Sequence, residues 1–201
     1  MSGRGEIRIG VFASGTGSNF RNLCELADAG ELAAGRIVLL LSDRPACGAA
    51  AYARERGCAV FAMTHRAAGN RDAWERMALI ALREAGVDLV VLAGYMRLVG
   101  AGLLQPFAGR IVNVHPSLLP QFPGLNAVRQ ALEAGVEKTG VTVHYVDEGL
   151  DTGPVIAQES VDIVPGDTEE TLSQRVHALE HRLLPAVVRM LCEQLADGDM
   201  G

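Results

Sequence analysis

Three polar side chains stand where apolar runs give way to irregular loops. Asn113 and His115 close the run Ile111-Val112-Asn113-Val114-His115, and Asp151 lies in Gly149-Leu150-Asp151-Thr152-Gly153-Pro154. Alternation along a strand sends Asn113 and His115 to the same side. An amide donor there can bind a carbonyl oxygen that is becoming an oxyanion, and an imidazole can move a proton in the same step. A carboxylate brought beside that imidazole favours the imidazolium and raises its pKa toward neutrality. Taken singly, each residue has an ordinary structural reading. A strand-end histidine is commonly satisfied by a neighbour, and an aspartate in a Gly/Pro loop commonly bonds its own backbone. What sets His115 apart is the segment it opens, HPSLLPQFPG, whose three prolines forbid a long helix or a central strand.

A second chemical feature is Ser14-Gly15-Thr16-Gly17-Ser18-Asn19, between an apolar strand and an amphipathic helix. Glycines at such a turn let backbone N–H groups approach an anion at a helix start, where unpaired donors and the dipole favour negative charge. The motif is not a Walker A, since no GK[ST] follows. It is not a full GxGxxG either, because Phe20 occupies the third glycine position. No acidic residue ends the second strand, where Ser42-Asp43-Arg44 turns at once, so a nicotinamide site ranks low.

The elements that must position these residues follow from period and punctuation. Strands are predicted at Glu6 to Ala13, Arg36 to Ser42, Cys58 to Ala62 and Val87 to Ala93. Helices are predicted between them at Ser18 to Asp28, Ala46 to Arg56 and Asn70 to Ala85, the last capped by Asn70. That alternation argues for a doubly wound sheet. The second half reads as a short helix from Ala101 to Phe107 and a strand from Ile111 to Val114. An antiparallel pair follows, Val141 to Val146 with Val155 to Ile163. A closing helix from Thr168 to Leu195 is expected to open on a capping box of Asp167 and Glu170 and to kink or break at Pro185.

Composition excludes several classes. The chain has 201 residues, 49% of them hydrophobic, with no linker-like segment, so one domain over residues 1–201 is expected. No apolar run approaches the roughly 18 residues that span a bilayer, and the N-terminal segment lacks a cleavable leader pattern. Cys24, Cys47, Cys58 and Cys192 are scattered outside CxxC spacing, so neither a metal site nor a disulfide framework is signalled, and a reducing cytoplasm is the expected setting. A net charge of −6 without a basic stripe argues against nucleic acid as a partner.

The segments IVNVHPSLLPQFPG and GVTVHYVDEGLDTGP together resemble the signature of the formyltetrahydrofolate-dependent formyltransferases. ASGTGSN looks like that family's phosphoribosylglycinamide branch. The resemblance covers the chain from about residue 7 to residue 191. It implies an α/β fold with a Rossmann-like, doubly wound, mostly parallel sheet and an antiparallel C-terminal portion. Residues 6–100 are then the phosphate-binding half and residues 101–195 the folate and catalytic half. The implied reaction moves the formyl group of 10-formyltetrahydrofolate, a co-substrate, to the amine of N1-(5-phosphoribosyl)glycinamide in purine biosynthesis. No metal, nucleic acid or membrane is implied, and the chain is expected to act as a monomer or homodimer. Another formyltetrahydrofolate-dependent transferase or hydrolase, or a non-catalytic nucleotide- or folate-binding module, is the alternative.

Carried across residue by residue, the resemblance makes Asn113, His115 and Asp151 the catalytic trio. Gly17, Ser18 and Asn19 match positions that hold the ribonucleotide phosphate, and His177 and Glu180 fall where the rest of that substrate is contacted. Met96, Arg97, Leu98 and Val99 match a pterin pocket, with Arg71 nearby. Asn113 and the loop Asp147, Glu148, Gly149, Leu150 and Asp151 complete the folate side. Three positions bear on the match. Asn126 stands where the family often has histidine, Thr142 keeps a small hydroxyl, and His177 replaces a common amide.

Overall fold

The computed structural model describes residues 5–198; the first four and last three residues lie outside the description. Its elements, in chain order, are β1 (Ile7–Phe12), α1 (Ser18–Asp28), β2 (Gly35–Ser42), α2 (Gly48–Glu55), β3 (Ala59–Ala62), α3 (Arg71–Glu84) and β4 (Leu89–Leu92). There follow α4 (Ala101–Leu104), β5 (Ile111–His115), α5 (Ala127–Glu133), β6 (Lys138–Tyr145), β7 (Val155–Asp162) and α6 (Glu169–Asp197). The strands form one sheet in the order β3-β2-β1-β4-β5-β6-β7. β1 to β5 run parallel, while β6 and β7 are antiparallel additions.

Central strands of such a sheet are covered on both faces, and their side chains alternate between two cores. Ile9, Val11 and Leu40 pack with Phe20 and Leu23 of α1 and with Leu184 and Leu191 of α6. Phe12, Leu39 and Leu41 point the other way and pack with Trp74 and Leu82 of α3 and Leu103 of α4. β7 lies at the edge and is only half covered, with Gln158, Ser160 and Asp162 exposed along it, a polar pattern that discourages pairing with another chain.

Most sequence-based boundaries hold within a residue or two, and Asn70 caps α3 by accepting from Ala73 N. Four expectations are corrected. α4 stops at Leu104, short of Phe107, and α5 lies between the proline loop and β6, where the sequence analysis assigns no element. The closing helix is capped one residue later than expected: Thr168 accepts from Thr171 N, and Thr171 Oγ1 accepts from Thr168 N. Helix α6 also runs unbroken through Pro185 for 29 residues. Proline lacks the N–H that would bond the carbonyl four residues earlier, here that of His181. That carbonyl instead accepts from Asn22 Nδ2 of α1 at 2.7 Å, so the acceptor is satisfied from outside the helix and no break is needed.

Candidate active site

Open parallel sheets place ligands outside the carboxyl ends of their strands where the strand order reverses, here between β1 and β4. A cleft of about 470 Å³ lies at that point. One wall is the turn from Gly15 to Asn19, and another is the segment from Ala93 to Val99 after β4. Asn113 and His115 form the floor at the end of β5, with Gly124 to Asn126, the 147–151 loop and two residues of α6 around them.

The structure brings the amide, the imidazole and the carboxylate together. Asn113 Nδ2 lies 3.3 Å from Asp151 Oδ1, and His115 Nδ1 lies 3.4 Å from Asp151 Oδ2. Gly124 N donates to the same Oδ2 at 2.8 Å, so Asp151 joins the proline loop to the 147–151 loop. His115 Nε2 sits 2.9 Å from Phe122 O and must donate, since a carbonyl only accepts. That leaves Nδ1 as the ring nitrogen that faces the Asp151 carboxylate. Burial of Asp151 opposes its charged form. Contacts with His144 and with Gly124 N–H, then the proximity of His115, outweigh burial and hold the carboxyl below the ordinary aspartate value. The loops carrying these groups are conformationally unusual. Phe122, Asn126 and Asp151 all have positive φ, at 54°, 60° and 55°, a region costly for side-chain-bearing residues and frequent at functional sites.

His144, not among the residues singled out from the sequence, also lines this cleft. Its Nδ1 lies 2.7 Å from Tyr145 O and donates, while its Nε2 lies 3.2 Å from Asn113 Nδ2 and 3.7 Å from Asp151 Oδ1. The signal that could have found it is strand register: β6 pairs antiparallel with β5, and His144 falls directly opposite Asn113. Thr142, two residues earlier, holds the proline loop in place. Its hydroxyl accepts from Leu119 N at 3.1 Å and donates to Ser117 O at 2.7 Å.

At the turn end, Gly17 is the N-cap of α1 at φ 82°, and no side chain caps the helix. Ser18 and Asn19 line the cleft beside it, with His177 and Glu180 of α6 opposite. Asn19 Nδ2 donates to Glu180 Oε2 at 2.8 Å, and exposed His177 Nε2 stands 4.0 Å from the same oxygen. Burial raises the Glu180 carboxyl above its ordinary value despite these two favourable neighbours. The folded chain therefore holds this proton to higher pH than the unfolded chain does, and Glu180 costs stability as the pH rises through that interval. Glu180→Gln removes the charge and keeps an oxygen to accept from Asn19 Nδ2. Melting temperature at pH 8 should rise by about 2–4 °C, the shift expected from ~1 kcal/mol in a chain of this size, and the gain should vanish near pH 4. Thermal melts at the two pH values check this, and an equal gain at both would contradict it.

At the other end, Met96, Arg97, Leu98 and Val99 face the cleft, as do Asp147, Gly149 and Leu150. Met96, Leu98, Leu125 and Leu150 are exposed apolar side chains around one mouth, an arrangement that suits a flat, largely apolar ligand. Two expected residues stand apart. Arg71 does not line the cleft, because its Nε is drawn 2.9 Å from Glu75 Oε1 one turn along α3. Glu148 is exposed at the tip of its loop and is likewise not a wall residue. Among the described residues, no group of three or more His, Cys, Asp or Glu is placed to hold a metal, and no helix is long and apolar enough to cross a membrane.

Comparison with known proteins agrees with this architecture. Residues 7–188 match the formyl transferase family. Phosphoribosylglycinamide formyltransferase of Bacillus subtilis (strain 168) is 46% identical over 184 residues, 92% of this chain and 94% of that protein. The crystal structure of glycinamide ribonucleotide transformylase 1 from Geobacillus kaustophilus superposes with a TM-score of 0.90 at 48% identity, covering 93% of this chain and 99% of the other. That of phosphoribosylglycinamide formyltransferase from Bacillus halodurans gives 0.88 at 47% identity, over 92% and 94% of the two chains. With its sheet order, its cleft at the strand reversal and this extent of likeness all in accord, the chain belongs to the formyl transferase family.

Proposed function

We propose that this protein transfers the formyl group of 10-formyltetrahydrofolate to the amine of phosphoribosylglycinamide, a step of purine biosynthesis, as a metal-independent enzyme of the cytoplasm acting on small molecules. The observation that carries the reading is the meeting of Asn113, His115 and Asp151 between two chemically different ends of one cleft. One end has backbone donors at an uncapped helix start, suited to a phosphate. The other has exposed apolar walls, suited to a pterin. Relatives and solved structures bearing the name of this activity support it.

In this reading the neutral amine attacks the formyl carbon and forms the new C–N bond. The bond from that carbon to the folate nitrogen then breaks, the amine loses a proton and the folate nitrogen gains one. Asn113 donates to the formyl oxygen as it becomes negative. Its Nδ2 faces Asp151 Oδ1 at 3.3 Å and His144 Nε2 at 3.2 Å, and a bound oxygen takes the place of the carboxylate as its acceptor. Protonated His115 lies beside the same oxygen and supplies a proton to the departing nitrogen. Asp151 balances the imidazolium and takes up the amine proton. Gly17, Ser18 and Asn19 hold the phosphate, Glu180 and His177 the remainder of the ribonucleotide, and Met96 to Val99 with the 147–151 loop the folate.

The test is deformylation of 10-formyltetrahydrofolate by purified protein, followed by absorbance with and without the ribonucleotide, with the product identified by mass. Turnover that depends on the ribonucleotide and yields its formyl derivative is expected. Turnover without it would make the protein a hydrolase, and no turnover in either case a binding module.

A further inference from the structure

Behind the cleft, and not part of its lining, lies a carboxylate with two partners. Asp43 follows β2 and is buried. Its Oδ1 accepts from Ser14 Oγ, and its Oδ2 accepts from Arg97 Nε at 2.5 Å. Ser14 is the first residue of the turn assigned to the phosphate, and Arg97 is central to the segment assigned to the pterin. Between Gly94 and Gly100 that segment has no helix or strand of its own. Its first residue is tied to the same turn by the backbone, Gly94 O accepting from Ser14 N at 3.2 Å, and its last to α3, Gly100 N donating to Glu75 Oε1 at 3.0 Å, while the side chain of Arg97 between them is held through Asp43.

We propose that Asp43 is a positioning residue that couples the two substrate subsites, so that fixing the Ser14 turn by one ligand orders the Arg97 segment for the other. This rests on the function proposed above. Asp43 touches neither ligand, but a carboxylate sandwiched between a hydroxyl and a guanidinium has one orientation that satisfies both. Charge-assisted bonds are directional, and a buried carboxylate that loses one partner is strongly penalised. A phosphate that immobilises the Ser14 turn therefore fixes the carboxylate, and the carboxylate fixes Arg97 among Met96, Leu98 and Val99. Coupling of this kind is reciprocal, so each ligand must tighten the other by the same factor.

A rival role has the opposite sign. A carboxylate near an anion site could act only through its field and weaken phosphate binding, in which case its removal would tighten the ribonucleotide. Calorimetric titrations with glycinamide ribonucleotide and tetrahydrofolate, a pair that cannot react because no formyl group is present, separate the possibilities. For the wild-type chain, each ligand should tighten the other about tenfold, within the usual range of coupling between sites. In Asp43→Asn the factor should fall to less than twofold, with both separate affinities reduced. Ser14→Ala and Arg97→Gln, which cut the relay one link at a time, should each do the same, and they keep the test decisive if Asp43→Asn fails to fold. A drop in melting temperature with the coupling factor intact, or tighter ribonucleotide binding in Asp43→Asn, overturns the proposal. So does a wild-type chain in which the two ligands bind independently. A wild-type chain that binds neither ligand removes the functional reading itself, and this inference with it.

Discussion

Asp151→Asn should lower kcat by about 10³–10⁴-fold, the scale seen when the carboxylate partner of a catalytic imidazole is neutralised. Asparagine is the informative replacement because it keeps the size and tolerates the left-handed backbone at φ 55° that most side chains resist. Its amide oxygen can still accept from Gly124 N, so the two loops should stay joined. The change removes the negative charge 3.4 Å from His115 Nδ1 and the acceptor for the amine proton. Both losses act on the reacting state, so KM for either substrate should move by no more than a few-fold. Steady-state kinetics with melting curves give the answer. A kcat within tenfold of wild type, in a folded protein, would take Asp151 out of the chemistry.

Gly17→Ala should raise KM for the ribonucleotide about a hundredfold and leave KM for the folate nearly unchanged. At φ 82° a side chain is strained whatever the space, by about 1–2 kcal/mol. Space is also lacking, because a Cβ there would stand 2.6 Å from the Cα and 2.7 Å from the Cβ of Ala49, a fully buried residue in the first turn of α2. The turn or α2 must shift, and the first N–H groups of α1 lose their aim. A hundredfold change equals about 2.7 kcal/mol of binding, on the order of two charge-assisted hydrogen bonds to phosphate. Gly15→Ala is a useful companion: its Cβ meets nothing within 4 Å and its φ is not positive, so its effect should be smaller. Equal effects at the two glycines would show that the turn tolerates displacement and that Gly17 is not its constraint.

What was legible in the sequence was whatever local pattern encodes. The strand-turn-helix around Gly17 and the alternation placing Asn113 beside His115 depend on near neighbours, and both stand in the fold as expected. Asp151 was an ordinary loop aspartate by local criteria, and only the resemblance of the surrounding motif brought it to the site. His144 escaped because its place depends on the register between β5 and β6, which the intervening proline loop conceals. Arg71 was misplaced for a related reason: Glu75, one turn away on the same helix, satisfies its guanidinium more cheaply than a ligand across the cleft. Asp43 gave no sign of its partners, since Ser14 and Arg97 are 29 and 54 residues away.

Pro185 misled in an instructive way. The gap it leaves in α6 works as a mortise, and Asn22 is the tenon seated in it, binding the first helix to the last. Asn19 and Glu180 join the same two helices nearby, so the end of the cleft beside the Gly15–Asn19 turn is a slot bounded by two cross-ties. Ligands of different girth must then be accommodated at the opposite end, by the proline-rich and 147–151 loops, and the slot acts as the gauge.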